Sequence, residues 1–169
     1  MHVMGIVGWK NSGKTTLVVA LVRLLTGQGF RVGTVKHAHH SFDIDQPGKD
    51  SWRHREAGAS DVIVASGARW AQVHELRGDA EPTLDDLLAR LSPGTDIVLV
   101  EGFKRGPHPK IEVVPPDFDG RLMTLDDPHV VALASDARHL PPVDVPVLRR
   151  SDPEAVARFI LRHAGLGSV

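Results

Sequence analysis

The most informative stretch of this sequence is Gly8-Trp9-Lys10-Asn11-Ser12-Gly13-Lys14-Thr15. It fits the pattern G-x-x-x-x-G-K-T, in which glycines let the backbone turn its N–H groups inward around phosphate oxygens. The apolar run 1–7 that precedes it is too short for a helix and suits a buried strand, and a helical pattern follows. The motif and its setting together predict a phosphate-binding loop for a nucleoside triphosphate. The alternative, a glycine-rich turn with an incidental lysine, explains this setting less well.

The positions of the loop have separate predicted roles. The Lys14 ammonium can reach the β- and γ-phosphates, and we predict that it is a catalytic residue. The Thr15 hydroxyl can bind Mg²⁺, and Thr16 is placed to meet the α-phosphate. The other predicted nucleotide-binding positions in the loop are Gly8, Asn11, Ser12 and Gly13.

Predicted strands and helices alternate along the chain. The apolar spacing predicts helices over 14–26, 50–57, 83–91 and 155–164, the last with a capping box made by Ser151 and Glu154. Strands are predicted over 1–7, 31–36, 61–66, 68–76, 96–100, 111–114 and 130–134, and the run 61–66 has the pattern of a buried strand. This order predicts a three-layer α/β fold, a single P-loop domain over 1–169 with a mostly parallel central sheet flanked by helices.

Glu101 is the predicted acidic partner of the loop. Four consecutive apolar residues, 97–100, precede it, and Gly102 follows. Ligands of parallel sheets bind at the carboxyl ends of the strands, and Glu101 stands at that end whereas Asp96 stands at the other. We therefore predict that Glu101 meets Mg²⁺ and acts in catalysis. The alternative is a solvated carboxylate at the start of a loop.

Three further positions are candidates. Lys104 follows Glu101 closely and could assist the phosphates, although a solvated lysine is an equal alternative. Asp136 follows the predicted strand 130–134 and could accept bonds from a guanine base, or could be a turn residue. Asp50 is a candidate metal ligand, and its alternative is a helix N-cap.

The stretch 37–49 is polar, aperiodic and predicted to be a long loop, and long loops are often functional. Its histidines are His37, His39 and His40, and two aspartates follow at Asp43 and Asp45. They could bind a transition metal or arrange contacts around Mg²⁺ and the γ-phosphate. Their spacing does not choose between the two.

Composition excludes several classes of function. The chain has 20 Lys and Arg against 21 Asp and Glu, a net charge of -1, which offers no general field for nucleic acid or anionic membranes. We therefore expect neither as a partner. Cysteine is absent, which excludes disulfides and zinc-thiolate sites. The N-terminal run lacks the pattern of a signal peptide, and we expect a cytoplasmic protein.

Four stretches together resemble one family: the loop 8–17, Val35-Lys36-His37-Ala38-His39-His40, Pro47-Gly48-Lys49-Asp50-Ser51 and Val100-Glu101-Gly102-Phe103-Lys104. The family is that of the molybdopterin-guanine dinucleotide biosynthesis adapter protein, MobB. The resemblance spans most of residues 1–136. It implies a GTP-binding homodimer with weak, Mg²⁺-dependent GTPase activity that assists the molybdenum cofactor guanylyltransferase and other molybdenum-cofactor proteins. Preference for GTP over ATP rests on this resemblance, because no base-specificity motif is present.

Two other functions stay open at the level of sequence. A small-molecule kinase would use the same loop and Mg²⁺ to transfer the γ-phosphoryl group to a hydroxyl, but Arg53, Arg55 and Arg69 are too scattered to indicate a lid. A metal-delivery GTPase would use the loop of His37, His39 and His40.

Overall fold

A computed structural model describes residues 1–38 and 42–167. The chain divides into two compact units, one made of residues 1–37 and 84–169 and the other of residues 38–83. The prediction of a single domain over 1–169 stays a prediction. None of the helices in the described ranges is long and apolar enough to cross a membrane.

The first unit is built on a sheet of six strands. They are β1 (His2–Val7), β2 (Val32–Lys36), β5 (Ile97–Glu101), β6 (Lys110–Val114), β7 (Val130–Ser135) and β8 (Val147–Leu148). Their order in the sheet is β2-β5-β1-β6-β7-β8, and each neighbouring pair is parallel. The helices are α1 (Lys14–Gly27), α3 (Leu84–Leu88) and α4 (Pro153–His163), with a 3₁₀ turn at Met123–Leu125.

Helices cover both faces of this sheet, and β5 shows how. Ile97 and Leu99 belong to a buried cluster with residues of α1 and α4, whereas Val98 and Val100 belong to a second cluster lined by the leucines of α3. Alternate residues of a strand point to opposite faces, so an apolar residue at every position requires cover on both sides. The predicted three-layer fold with a mostly parallel sheet is confirmed.

The last helix begins at Pro153, two residues before the predicted start at 155, and its N-cap lies one residue later than the predicted Ser151. The N-cap is Asp152, whose side chain accepts a hydrogen bond from the Ala155 N–H at 2.9 Å, and Pro153 occupies the first turn. The predicted capping box of Ser151 and Glu154 is therefore wrong. Ser151 instead donates its hydroxyl to Asp136 at 2.8 Å, a partner distant in sequence.

Two buried charged residues on β6 hold the proline-rich stretch that follows Lys104. Glu112 is fully buried, and its two oxygens accept the backbone N–H groups of Met123 and Thr124 at 2.9 and 3.0 Å. Lys110 is also buried, and its ammonium lies 3.1 Å from an oxygen of Asp127. Burial raises the pKa of Glu112 in spite of its two bonds. These contacts fix a segment that has little regular structure of its own.

The second unit contains α2 (Asp50–Glu56) and an antiparallel pair, β3 (Asp61–Ala65) and β4 (Trp70–His74). The predicted burial of strand 61–66 is wrong, because only Val62 is buried while Ile63 and Val64 are 65% and 52% exposed. A run of apolar residues in a two-stranded ribbon lacks the second layer that a central sheet provides. Arg55 ties the unit together, with ion pairs to Asp43, Asp45 and Glu75 at 2.8, 3.4 and 2.9 Å.

Candidate functional site

The loop between β1 and α1 requires glycine at both ends. Gly8 has a φ of 147°, and a Cβ built there would lie 2.4 Å from the Val113 carbonyl oxygen and 2.8 Å from the Ser12 hydroxyl. Gly13 has a φ of 90°, and its Cβ would lie 3.0 Å from the Arg150 guanidinium. A side chain at Gly8 would therefore force the loop away from β6, and at both sites the backbone angle favours glycine. Asn11, with a φ of 63°, makes a further tight turn between them.

The Lys14 ammonium is folded back over the loop. It donates to the Trp9 carbonyl oxygen at 2.6 Å and to the Ser12 hydroxyl at 3.4 Å. Burial lowers the pKa of Lys14, and the charge of Lys104 lowers it further. An anion in the loop would relieve that repulsion between ammonium groups. The Lys14 ammonium is thus bound by oxygen atoms of the loop itself.

Thr15 and Glu101 meet at the start of α1. The Thr15 hydroxyl donates to the Glu101 Oε1 at 2.8 Å, although the residues are 86 positions apart. Glu101 continues the alternation of Ile97 and Leu99, so its side chain leaves the sheet on the face covered by α1. This contact confirms that the acidic end of β5 lies beside the loop.

The donors at this point suit magnesium. Mg²⁺ prefers hard oxygen ligands and usually binds through one or two protein groups plus phosphates and water. The Thr15 hydroxyl and the Glu101 carboxylate supply two such groups 2.8 Å apart. Within residues 1–38 and 42–167, no three His, Asp or Glu side chains gather as a metal-binding cluster.

Asp136 lies at the tip of β7 and is held by two neighbours. Its Oδ1 accepts the Ser151 hydroxyl at 2.8 Å and the Ser151 N–H at 3.1 Å, and its Oδ2 accepts the Arg150 Nε at 3.3 Å. Burial would raise the pKa of Asp136, but the bonds from Ser151 and Arg150 outweigh it and lower the pKa below the usual range. Asp136 is thus an ionised carboxylate that already accepts three hydrogen bonds.

Arg150 is a site residue that the sequence analysis missed. Its Nη1 donates to the Ser12 carbonyl oxygen at 3.1 Å, and its Nε reaches Asp136. It therefore links the phosphate loop to the tip of β7. No motif marks it, because it follows a strand of two residues that has no sequence pattern of its own.

Lys36 is a second missed residue, and a signal for it was present. Its ammonium lies 3.3 Å from Glu101 Oε1, the oxygen that accepts the Thr15 hydroxyl. It ends β2, which pairs in parallel with β5. Because ligands of parallel sheets bind at the carboxyl ends of the strands, Lys36 could have been predicted at the same edge as Glu101.

The remaining candidates have varied surroundings. Lys104 lies 5.1 Å from the centre of the Trp9 ring, in a cation–π contact beside the loop. His37 donates its N–H to the Glu101 carbonyl oxygen at 2.9 Å, and its ring packs 4.8 Å from that of Phe103. Asp50 lies in the first turn of α2, in the second unit, where the N-cap is Lys49. Its role as a metal ligand stays a prediction. His39 and His40 lie outside the described residues, so the histidine metal site also stays a prediction.

Two neighbouring hollows follow this arrangement. One of about 330 Å³ is lined by Asn11, Gly13, Lys14, Thr15, Thr16 and Glu101. A second of about 320 Å³ shares Gly13 and Thr16 with it and extends to Asp136 and Arg150. A larger hollow of about 520 Å³ lies between Trp9 and Phe118, beside residues 9–11 of the loop. The hollow of about 330 Å³ suits phosphate best, because the Lys14 ammonium and the Thr15–Glu101 pair line it.

Comparison with known proteins identifies the family of this loop and its carboxylate. The family model MobB, described as molybdopterin guanine dinucleotide synthesis protein B, matches residues 3–136. The chain belongs to the MobB family. The matched residues include the whole phosphate loop, Glu101 and Asp136.

Relatives in this family are similar over most of their length. The molybdopterin-guanine dinucleotide biosynthesis adapter protein of Escherichia coli (strain K12) is 41% identical over 155 residues, which cover 90% of this chain and 87% of the relative. The Haemophilus influenzae protein of the same name is 42% identical over 135 residues, covering 79% and 74%. The crystal structure of a MobB homologue from Bacillus stearothermophilus superposes with a TM-score of 0.71 at 26% identity, covering 99% of this chain and 100% of that one.

We predict that Gly8→Ala will destabilise the protein by at least about 2 kcal/mol, because it adds a Cβ against the Val113 carbonyl at an unfavourable backbone angle. Urea unfolding followed by circular dichroism measures the change. Gly27→Ala is the matched control, since nothing lies within 4 Å of a Cβ there. Equal free energies of unfolding for the two variants would contradict the proposed constraint on the loop.

Proposed function

We propose that this MobB-family chain is a GTP-binding adapter protein with weak, Mg²⁺-dependent GTPase activity. Its role would be to assist the enzyme that forms the guanine dinucleotide of the molybdenum cofactor. The observation that carries the nucleotide part is the Thr15–Glu101 hydrogen bond at the end of a glycine-constrained loop. The names of the Escherichia coli and Haemophilus influenzae relatives support the cofactor part.

Different residues of the loop would bind different phosphates of the triphosphate. Backbone N–H groups from Gly8 to Gly13 would surround the β-phosphate, and Lys14 would leave the Trp9 carbonyl to pair with the β- and γ-phosphates. Thr16, which lines both the phosphate hollow and its neighbour, would meet the α-phosphate. Lys104, stacked on Trp9, would add positive charge at the rim.

Magnesium would be held by Thr15 and Glu101. When bound, it neutralises charge on the phosphates and polarises the bond to the γ-phosphoryl group. Glu101 orients the site through its bond to the Thr15 hydroxyl, which keeps the start of α1 next to the carboxyl end of β5.

Asp136 is the proposed reader of the guanine base. The hollow that it lines shares Gly13 and Thr16 with the phosphate hollow, so Asp136 would lie at the nucleoside end of a bound nucleotide. As an ionised carboxylate it can accept bonds from the N–H groups of guanine but not from the N1 of adenine, which is itself an acceptor. Its Oδ2 carries one bond, from Arg150, and retains capacity for another.

We predict that Lys14→Ala will reduce GTP affinity below detection while leaving the fold intact, because it removes the cation aimed at the β- and γ-phosphates. Isothermal titration with GTP, ATP and GDP, with and without Mg²⁺, measures this and tests guanine preference in the parent chain. Arg158→Ala, at an exposed site on α4, is the control. Unchanged GTP affinity in Lys14→Ala would contradict the assignment of the loop.

We predict that Glu101→Gln will slow hydrolysis more than it weakens GTP binding, because the carboxylate acts through a metal whose effect grows as the bond to the γ-phosphate breaks. Loss of one such electrostatic contact costs on the order of 10²-fold in rate. Single-turnover hydrolysis and equilibrium affinity should be measured on the same sample. Glu154→Gln, at an exposed site on α4, should change neither quantity. Wild-type hydrolysis and Mg²⁺-dependent binding in Glu101→Gln would contradict this role.

The proposed homodimer has support in the second unit. The ribbon of β3 and β4 exposes large apolar side chains, with Ile63 and Trp70 each 65% exposed. Among the described residues, β3 and β4 pair with each other alone. A two-stranded ribbon with exposed apolar residues is weak by itself and gains stability from pairing. A second copy of the chain carries the same surface and could pair with it around a two-fold axis.

We predict that Ile63→Asp will shift the protein from dimer to monomer at micromolar concentration, because it places a charge in the apolar surface of the ribbon. Size-exclusion chromatography with light scattering gives the mass. Leu125→Asp, at a similarly exposed apolar site of the first unit, is the control and should leave the mass unchanged. Monomeric parent protein, or a dimeric Ile63→Asp, would contradict dimerisation through the ribbon.

A further inference from the structure

Lys36 occupies a fixed position beside the Glu101 carboxylate. In the pairing of β2 with β5, Lys36 stands opposite Glu101 at the carboxyl end of both strands. Residues opposite each other on parallel neighbours point to the same face, so Lys36 emerges toward α1 as Glu101 does. The bond from the His37 N–H to the Glu101 carbonyl oxygen at 2.9 Å secures the end of β2.

The ammonium of Lys36 shares its partner with a metal-binding hydroxyl. It lies 3.3 Å from the Glu101 Oε1, which also accepts the Thr15 hydroxyl at 2.8 Å. The Lys36 side chain is 59% exposed, whereas that of Glu101 is 13% exposed. The lysine therefore caps the carboxylate from the solvent side, at the place where the proposed magnesium site opens.

This pairing is easily exchanged. An exposed ion pair contributes little to stability, because the charges are screened by water and the long side chain loses freedom in making it. Lysine has a flexible stem of four carbons, so its ammonium can change position while the backbone stays in the sheet. Lys36 thus combines a fixed backbone position with a mobile ammonium group.

Positive charge around Glu101 exceeds what one carboxylate can balance. Lys14, Lys36 and Lys104 lie close enough for the charges of the other two to depress the pKa of Lys14. Glu101 works in the opposite direction on that pKa. Two ammonium charges remain after pairing with the carboxylate, so the site is prepared for an anion of high charge.

We propose that Lys36 recognises the γ-phosphate and so distinguishes a nucleoside triphosphate from a diphosphate. In the nucleotide-free protein its ammonium pairs with Glu101. When a triphosphate binds with its metal, Lys36 leaves Glu101 to the metal and pairs with γ-phosphate oxygens. With a diphosphate no such oxygens exist, and Lys36 stays with Glu101. The inference rests on the proposed function, because it assumes that the loop binds GTP.

The decisive variant is Lys36→Met, which keeps the length of the side chain and removes its charge. With Mg²⁺ present, GTP affinity should fall on the order of 10-fold, as expected for loss of a charge-assisted hydrogen bond to phosphate. GDP affinity should stay within about twofold, because an exposed pair with Glu101 contributes little. Titration calorimetry with both nucleotides gives the ratio. Lys36→Arg should recover most of the GTP affinity, and Arg158→Met, at an exposed site on α4, should leave both affinities unchanged.

A different pattern would overturn the inference. Equal losses for GTP and GDP in Lys36→Met would show that the lysine only supports the structure through Glu101. Unchanged affinity for GTP would show that the γ-phosphate does not meet it. In both results the parent chain binds GTP, so the proposed function stands. A parent chain that binds neither nucleotide would overturn the proposed function and the role of Lys36 together.

Discussion

The parallel pairing of β1 with β5 and β6 is the constraint on which the site depends. It brings the carboxyl ends of neighbouring strands to one edge, so that the loop after β1 begins beside the carboxylate that ends β5. The same pairing moves Gly8 so close to the Val113 carbonyl of β6 that no side chain fits. Sheet geometry thus fixes both the composition of the loop and the position of Glu101. The bond between Thr15 and Glu101 joins the sheet to the first turn of α1.

Much of this could be predicted from sequence, because it follows from short patterns and one general rule. The glycine spacing identified the loop, and runs of apolar residues identified β1, β5 and β7. The edge rule for parallel sheets then placed Glu101 near Thr15 across 86 positions. These inferences succeed since each depends on backbone geometry that all parallel sheets share. The same rule was sufficient for Lys36 and was not applied to it.

The errors have a common physical origin in contacts between distant side chains. Consecutive apolar residues in β3 suggested burial along the whole strand, but only Val62 is buried there and its neighbours Ile63 and Val64 stay exposed. Ser151 matched a capping pattern, yet its hydroxyl bonds to Asp136 and leaves the cap to Asp152. Such competition between partners is decided by tertiary structure, which a local pattern does not record. The contact of Arg150 with Ser12 spans 138 positions and has no sequence signature.

The buried charges of β6 show a related effect on a longer segment. Glu112 would be costly inside the protein without partners, and two backbone N–H groups near Met123 supply them. A carboxylate in the core thereby orders a stretch whose many prolines give it little regular secondary structure. Residues 115–128 therefore follow a defined path although a single 3₁₀ turn is the regular structure assigned to them. The ordering comes from side chains of the sheet.

The bond from Arg150 to the Ser12 carbonyl has a consequence for the direction of a neighbouring amide. A trans peptide is planar, and its C=O and N–H point in opposite directions. By drawing the Ser12 carbonyl to one side, Arg150 turns the Gly13 N–H toward the opposite side of the loop. Arg150, near the carboxyl end of the chain, therefore fixes the orientation of a peptide plane close to its beginning. The direction of an N–H group inside the loop is set in part by an arginine that lies outside it.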